Sequence, residues 1–236
     1  MFGMYGLYWD PTYILVAIGA IICMIASAHV NNTYRIYSQV PSDAGITGAQ
    51  AAERIIRSCG LQGVVVRHVS GNLTDHYDPR SKTVNLSDAV YGSVSVAAIA
   101  VAAHECGHAL QHQKNYAPLT IRGALVPAAN FGSTIAWPLI LIGLFINSHT
   151  GTFMIQAGIL CFSLAVLFQL VTLPVEFDAS HRALRVIEDI GIVSHREMQL
   201  SRKVLVAAAL TYVAGAASAI LQLLRLVLLF GGRDED

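Results

Sequence analysis

The stretch "AAHECGHALQH", residues 102–112, places three histidines at four-residue intervals and a glutamate directly after the first. Residues four apart lie about 40° from each other around an α-helix and one turn along its axis, so His104 and His108 can reach the same metal ion. His104, Glu105 and His108 form the pattern H-E-x-x-H, in which two imidazoles bind zinc and the glutamate acts as general base. The stretch therefore predicts a helix that carries a catalytic zinc site.

The third histidine of the stretch, His112, does not fit the same ion. About 12 Å of helical rise separates it from His104, whereas zinc–nitrogen bonds are about 2 Å long. We expect His112 to lie at the rim of the site or behind one of the ligands. Cys106 is a soft ligand by type, but it lies about 200° around the helix from His104 and so points away from the metal.

The composition is that of a membrane protein. Hydrophobic residues make up 54% of the chain and charged residues 13%, which is about half the charged fraction of soluble domains. Four apolar runs without Asp, Glu, Lys or Arg have the length that crosses a bilayer; they cover approximately residues 11–28, 123–146, 153–173 and 204–224. A mostly α, polytopic membrane protein is predicted, and the zero net charge argues against nucleic-acid binding.

These runs divide the chain into five segments. We expect the N-terminus and first transmembrane helix in 1–29, a catalytic segment with small strands and the HExxH helix in 30–122, a transmembrane hairpin in 123–173, a second catalytic helix in 174–203, and the fourth transmembrane helix with a C-terminal tail in 204–236.

Within the first catalytic segment, Thr47 and Gln50 predict a capping box at the start of a helix that Gly60 closes. Strands are predicted within residues 64–71 and 82–87, and a continuous helix from about 88 to 114.

The short connection between the second and third runs returns the chain to the side of the membrane that it left. Residues 174–203 are therefore expected on the same side as the HExxH helix. Thirteen of the 15 Lys and Arg residues lie in these two polar segments. The positive-inside rule then predicts cytoplasmic catalytic segments and both termini outside.

The third metal ligand is expected in "LPVEFDASHRALRVIEDIG" (173–191), which follows the third run and is predicted to begin a helix after Pro174. Glu176 lies nearest the membrane end and fits best as the third ligand of a His₂Glu zinc site, which keeps a fourth position open. Asp178, His181 and Glu188 are the competing ligands. Alternatively, these residues are solvated charges at the boundary of a membrane span.

Other residues near the predicted site have less specific roles. His181 and Arg182 could donate hydrogen bonds to an oxyanion, or Arg182 could simply anchor the helix at the membrane surface. The strand before the metal helix could be an edge strand that holds extended substrate by main-chain pairing, or it could be purely structural; its candidate residues are Val84, Asn85 and Leu86. The predicted turn with Asp75, His76 and Asp78 could hold a second metal or be an ordinary charged turn.

Three motifs occur in order among the four runs: "GNLTDHYDPRSKTVNLS" (71–87), "AVAAHECGHALQH" (100–112) and "LPVEFDASHRAL" (173–184). Together they resemble the bacterial YugP-type membrane zinc metallopeptidase family over nearly the whole chain. The resemblance implies a gluzincin endopeptidase with one zinc ion, distantly similar to the HtpX and CAAX-processing proteases. It implies His104, His108 and Glu176 as metal ligands and Glu105 as general base.

The chain departs from that wider group at one position. HtpX-like enzymes have the pattern E-x-x-A-D, in which the Asp can orient a ligating histidine. Here Ala179 is kept, but Ser180 stands in place of the Asp. We therefore expect the histidines to be oriented from elsewhere, with Asp178 as the candidate.

The leading hypothesis is a membrane-bound zinc endopeptidase that hydrolyses membrane proteins or peptides near the bilayer surface. An intramembrane site-2-like protease is the first alternative, but it would require an Asp-Gly motif in a later span, and the chain has no Asp-Gly pair. The second alternative is an inactive metal-binding scaffold, which would be expected to have lost Glu105.

Overall fold

The computed structural model describes residues 10–146 and 148–231; the predicted ends of the N-terminal and C-terminal segments lie outside these ranges. The elements in the described residues are the helices α1 Tyr13–Tyr37, α2 Gly48–Ser58, α3 Asp88–Tyr91, α4 Val96–Gln113, α5 Ala117–Phe145, α6 His149–Asp189 and α7 His195–Phe230, and the strands β1 Val65–His68, β2 His76–Asp78 and β3 Thr83–Leu86. The predicted class, mostly α with four candidate membrane spans and a small β element, is confirmed.

The four helices α1, α5, α6 and α7 are long and apolar enough to cross a membrane. At most 33% of the residues in the apolar window of each helix are buried in the protein, so most of these apolar side chains remain available to lipid. The expectation that a new helix begins after Pro174 was wrong, because α6 continues through Pro174 to Asp189. Proline fixes a φ angle that suits a helix, and the long helix on both sides accommodates the one missing N–H.

The described residues group into two compact units. The first contains residues 10–25, 121–146, 148–171 and 212–231. In it α5 and α6 approach closely, since a Cβ on Gly158 would lie 2.9 Å from the Ala136 carbonyl oxygen. At one end of this unit Arg225 pairs with Asp10 at 3.2 Å and lies over the ring of Tyr13.

The second unit contains residues 26–120 and 172–211, and it holds every residue predicted to take part in catalysis. Its core is formed by apolar side chains of α2, β3, α4 and the C-terminal part of α6, including Ile55, Leu86, Ile99 and Ile187. The predicted capping box of α2 is confirmed: Gln50 N–H donates to Thr47 Oγ1, and Thr47 N–H donates to Gln50 Oε1.

The small sheet has the order β1-β3-β2, with β1 parallel and β2 antiparallel to β3. Strand β2 is His76–Asp78, where a turn was predicted. Asp75 is hydrogen-bonded to the residue that follows β3, because Ser87 N–H and Oγ–H both donate to its carboxylate at 2.8 Å. Among the described residues these side chains do not form a metal-binding group.

The helix predicted from 88 to 114 is divided into α3 and α4 by residues 92–95. Ser95 caps α4, since its side chain accepts a hydrogen bond from Ala98 N–H at 3.2 Å. This N-cap begins a new helix where a continuous one was expected. The apolar first half of α4, residues 96–103, is mostly buried in the core of the second unit.

A candidate metal centre formed by α4 and α6

His104, His108 and Glu176 meet at the contact between α4 and α6. Glu176 Oε2 lies 3.2 Å from His104 Nε2 and 3.6 Å from His108 Nε2. The two imidazole rings have centroids 4.8 Å apart and are nearly perpendicular. Within the described residues, this is the only group of three His, Cys, Asp or Glu side chains whose ligand atoms lie close enough to hold a metal ion.

The spacing of these donor atoms fits zinc. Two ligands of a tetrahedral ion with bonds of about 2.0–2.1 Å are about 3.3 Å apart. The two nitrogen–oxygen distances measured here bracket that value. Two imidazole nitrogens and one carboxylate oxygen are also the donor set of catalytic zinc sites that keep a fourth position open.

His104 is oriented by Ser180, whose Oγ lies 3.1 Å from His104 Nδ1. This leaves Nε2 as the nitrogen that faces Glu176. The expectation that support must come from a residue other than Ser180 was therefore wrong. A serine hydroxyl can replace an aspartate at this position because it also accepts a hydrogen bond from an imidazole N–H.

His108 is oriented by Gln111, a residue that was not singled out in the sequence. Gln111 Oε1 lies 3.0 Å from His108 Nδ1, and Gln111 Nε2 donates to Val175 O and to Asp178 Oδ2, both at 2.8 Å. Asp178, the candidate for orienting a histidine, thus contacts His108 only through Gln111. The available sequence signal was a polar residue three positions after a ligand on the same helix face.

The contact between α4 and α6 depends on Gly107. A Cβ at this position would lie 2.3 Å from the carbonyl oxygen of Ala179. Ala179 follows Glu176 by one helical turn, so the absent side chain of Gly107 allows α6 to bring Glu176 within reach of the histidines. The glycine of HECGH is therefore a packing residue.

Glu105 lies beside this cluster and is 7% exposed. Its carboxylate makes no hydrogen bond or ion pair with the described residues, and it is therefore available to a substrate or a water molecule. Burial lowers the pKa of His108, but hydrogen bonding to Glu176 and the charges of Glu105 and Glu176 raise it above its ordinary value. The negative charges of Glu105 and Glu176 near the His108 imidazole favour a bound cation.

Cys106 lies on the opposite side of α4, as expected. It is buried, and its thiol donates a weak hydrogen bond to Ala52 O at 3.8 Å. Burial raises the pKa of the Cys106 thiol, so the protonated form is favoured. This side chain belongs to the core and is not among the clustered donor atoms.

The remaining predicted site residues lie around the cluster. His112 bonds to Tyr77 of β2, with its Nδ1 2.8 Å from the Tyr77 hydroxyl. Arg182 donates from Nε to Asp178 at 2.6 Å and lies over the ring of Tyr116. His181 is exposed and lines a groove of about 550 Å³ between α6 and α7. An oxyanion role for Arg182 or His181 stays a prediction.

The proposed substrate strand is not an edge strand. β3 pairs with β1 along Thr83–Leu86 and with β2 along Thr83–Asn85. Both sides of its backbone are thus occupied along Thr83–Asn85, and Val84, Asn85 and Leu86 are buried. The expectation that these three residues pair with an extended substrate was wrong, because β2 covers the edge that the prediction left open.

Comparison with known proteins identifies the family to which the chain belongs. Residues 12–231 match the family described as "putative neutral zinc metallopeptidase". A curated protein of Bacillus subtilis (strain 168), "putative membrane protease YugP", is 46% identical over 226 residues, which are 95% of this chain and 99% of that protein. No solved structure matches.

Proposed function

The chain belongs to this neutral zinc metallopeptidase family, and from that premise we propose that it is a membrane-bound, zinc-dependent endopeptidase. His104, His108 and Glu176 hold the zinc ion in this proposal, and Glu105 is the general base. The observation that carries it is the cluster of three donor atoms within 4.8 Å of one another, on the two helices that also hold Glu105 and the supporting hydrogen bonds.

Zinc held by these residues would act as a Lewis acid on the peptide carbonyl and would make a neighbouring water a stronger nucleophile. Glu105 takes the proton that this water releases as the carbon–oxygen bond forms. It then gives that proton to the amine nitrogen as the peptide carbon–nitrogen bond breaks. The Glu105 carboxylate can perform both proton transfers because it has no hydrogen-bond or ion-pair partner among the described residues. No side chain becomes covalently attached to the substrate.

The substrates in this proposal are membrane proteins or membrane-associated peptides. This choice of substrates is supported by the sequence, in which the catalytic segments adjoin four helices that are long and apolar enough to span a bilayer. We place the protein in a bacterial inner membrane, with the catalytic segments cytoplasmic and the termini outside. The excess of Lys and Arg in the two catalytic segments supports this orientation.

The proposed function is tested with the full-length protein in detergent by measuring zinc content and peptide hydrolysis. Glu105→Gln is expected to retain zinc and to lose about 10²–10⁴-fold in turnover, the typical contribution of a general acid–base. Glu176→Ala is expected to lose zinc affinity by more than the roughly 10–100-fold typical of a supporting residue. Glu188→Ala, which removes an exposed acid of the same helix, is the control and should match the wild type.

Two results would contradict the proposal. Full hydrolytic activity in Glu105→Gln would remove the general-base mechanism. Unchanged zinc affinity in Glu176→Ala, or a loss in Glu188→Ala alone, would assign the third ligand elsewhere.

A further inference from the structure

Gln111 is a fully buried amide that the proposed chemistry does not use directly. Its side chain has a relative exposure of 0%, and it lies three residues after His108 on α4. Burying an amide without hydrogen-bond partners costs free energy, so the partners of a buried glutamine show what holds it in place. Gln111 has three such partners, and one of them is a predicted metal ligand.

The direction of these hydrogen bonds follows from their chemistry. The Val175 carbonyl and the Asp178 carboxylate can only accept, so both require the NH₂ group of Gln111. The amide oxygen of Gln111 must then face His108 Nδ1, at 3.0 Å. Because a carbonyl oxygen cannot donate, Nδ1 must carry a proton. In the neutral ring, Nε2 then has the free lone pair, and Nε2 is the atom that faces Glu176.

We propose that Gln111 is a positioning residue that fixes the tautomer and ring orientation of His108 for metal binding, with Asp178 and Arg182 fixing Gln111 in turn. This inference rests on the proposed function. Asp178 Oδ2 accepts from Gln111 Nε2 at 2.8 Å and from Arg182 Nε at 2.6 Å. A carboxylate that accepts from the amide also makes the amide oxygen a better acceptor, which raises the basicity of the imidazole.

The relay Arg182–Asp178–Gln111–His108 links the two helices. Val175 and Asp178 flank Glu176 on α6, whereas Gln111 and His108 lie on α4. The segment of α6 that supplies the carboxylate ligand therefore also aligns the second imidazole. The relay differs from the support of His104, whose Nδ1 has one hydrogen-bond partner among the described residues, the hydroxyl of Ser180.

The test compares the zinc affinity of full-length variants with that of the wild type, measured by competition with a chromophoric chelator. Gln111→Leu should lower zinc affinity about 10–100-fold, the range for lost supporting contacts. Gln113→Leu is the control, because Gln113 is an exposed glutamine two residues further along α4 whose one hydrogen bond among the described residues is to Gly60 O at 3.0 Å. It should stay within about twofold of the wild type.

A second pair of variants separates positioning from a purely structural role. Gln111→Glu places two carboxylates in contact and removes the donor for Asp178, so zinc affinity should fall. Adding Asp178→Asn provides an amide that can donate to the new carboxylate, whose other oxygen can still accept from His108 Nδ1. Zinc affinity should then recover at least about fivefold relative to Gln111→Glu alone. General loss of packing would not be rescued in this way.

The outcomes are distinguishable. If the wild type binds no zinc, the proposed function fails and the relay fails with it. If the wild type binds zinc and Gln111→Leu binds as tightly as Gln113→Leu, only the relay is overturned. If Gln111→Leu does not fold, the pair Gln111→Glu and Gln111→Glu/Asp178→Asn decides: recovery supports the relay, and equal affinities overturn it.

Discussion

Gly107→Ala tests whether the approach of α4 and α6 sets the metal site. The new Cβ would lie 2.3 Å from Ala179 O, 3.0 Å from its carbonyl carbon and 3.2 Å from its Cα. All three are backbone atoms, so no rotamer change can relieve the contact. Ordinary van der Waals contact begins near 3.5 Å, so the helices must separate locally by about 1 Å.

The two effects of this substitution have opposite signs. Alanine is the better helix former by about 0.8–1.0 kcal/mol, so propensity alone would stabilise α4. Overpacking costs about 1–3 kcal/mol. The free energy of unfolding should therefore fall by at most about 2 kcal/mol. Metal ligands tolerate only about 0.2 Å of displacement, so the same 1 Å separation should lower zinc affinity far more than stability, by at least about 100-fold.

The assay for Gly107→Ala combines chelator competition for zinc with thermal unfolding of the metal-free protein. Gly92→Ala is the matched control, because a Cβ on Gly92 meets nothing within 4 Å and its φ of −97° suits alanine. If Gly107→Ala unfolds at a higher temperature than the wild type and binds zinc equally well, the close approach at Ala179 does not limit the site. Reduced stability with unchanged zinc affinity would separate helix packing from ligand geometry.

Two further predictions concern His104 and the membrane orientation. Ser180→Ala removes the 3.1 Å contact with His104 Nδ1 and should lower zinc affinity about 10–100-fold. Ser180→Asp keeps a hydrogen-bond acceptor at this position and should bind zinc at least as tightly as the wild type. Equal zinc affinity in the wild type and both variants would contradict the role of Ser180. The orientation can be tested with fusions to alkaline phosphatase, an enzyme that is active only outside the inner membrane. A fusion to the C-terminus should be active, and a fusion after Asn115 should be inactive. The reverse pattern would invert the proposed orientation.

The parts of the site that depend on local geometry could be predicted from the sequence. The pairing of His104 with His108 follows from the helical period, and the expected position of Glu176 follows from a membrane hairpin that returns the chain to one side. The expectation that Cys106 lies on the far side of α4 has the same basis and agrees with its burial in the core. Each of these inferences needs only the distance along one element or the direction of a connection.

The parts that depend on contact between distant elements could not be predicted. Ser180 reaches His104 only because Gly107 lets α6 approach α4 closely, and no local pattern reports that distance. The prediction that β3 is an edge strand was wrong for a similar reason. The three-residue strand β2 contains a histidine and an aspartate, a composition typical of a turn. It nevertheless pairs with β3 and covers the edge of β3.

A single segment of α6 supports both histidines and provides the carboxylate. Glu176 is the proposed ligand, Ser180 contacts His104, and Val175 and Asp178 hold the glutamine that contacts His108. All of these groups lie within six residues of one helix, so a displacement of this segment moves every support of the site together. Substitutions at the contact of α4 with α6 should therefore not be additive in their effect on zinc affinity. Once one substitution has separated the helices, the hydrogen bonds that a second would remove are already weakened.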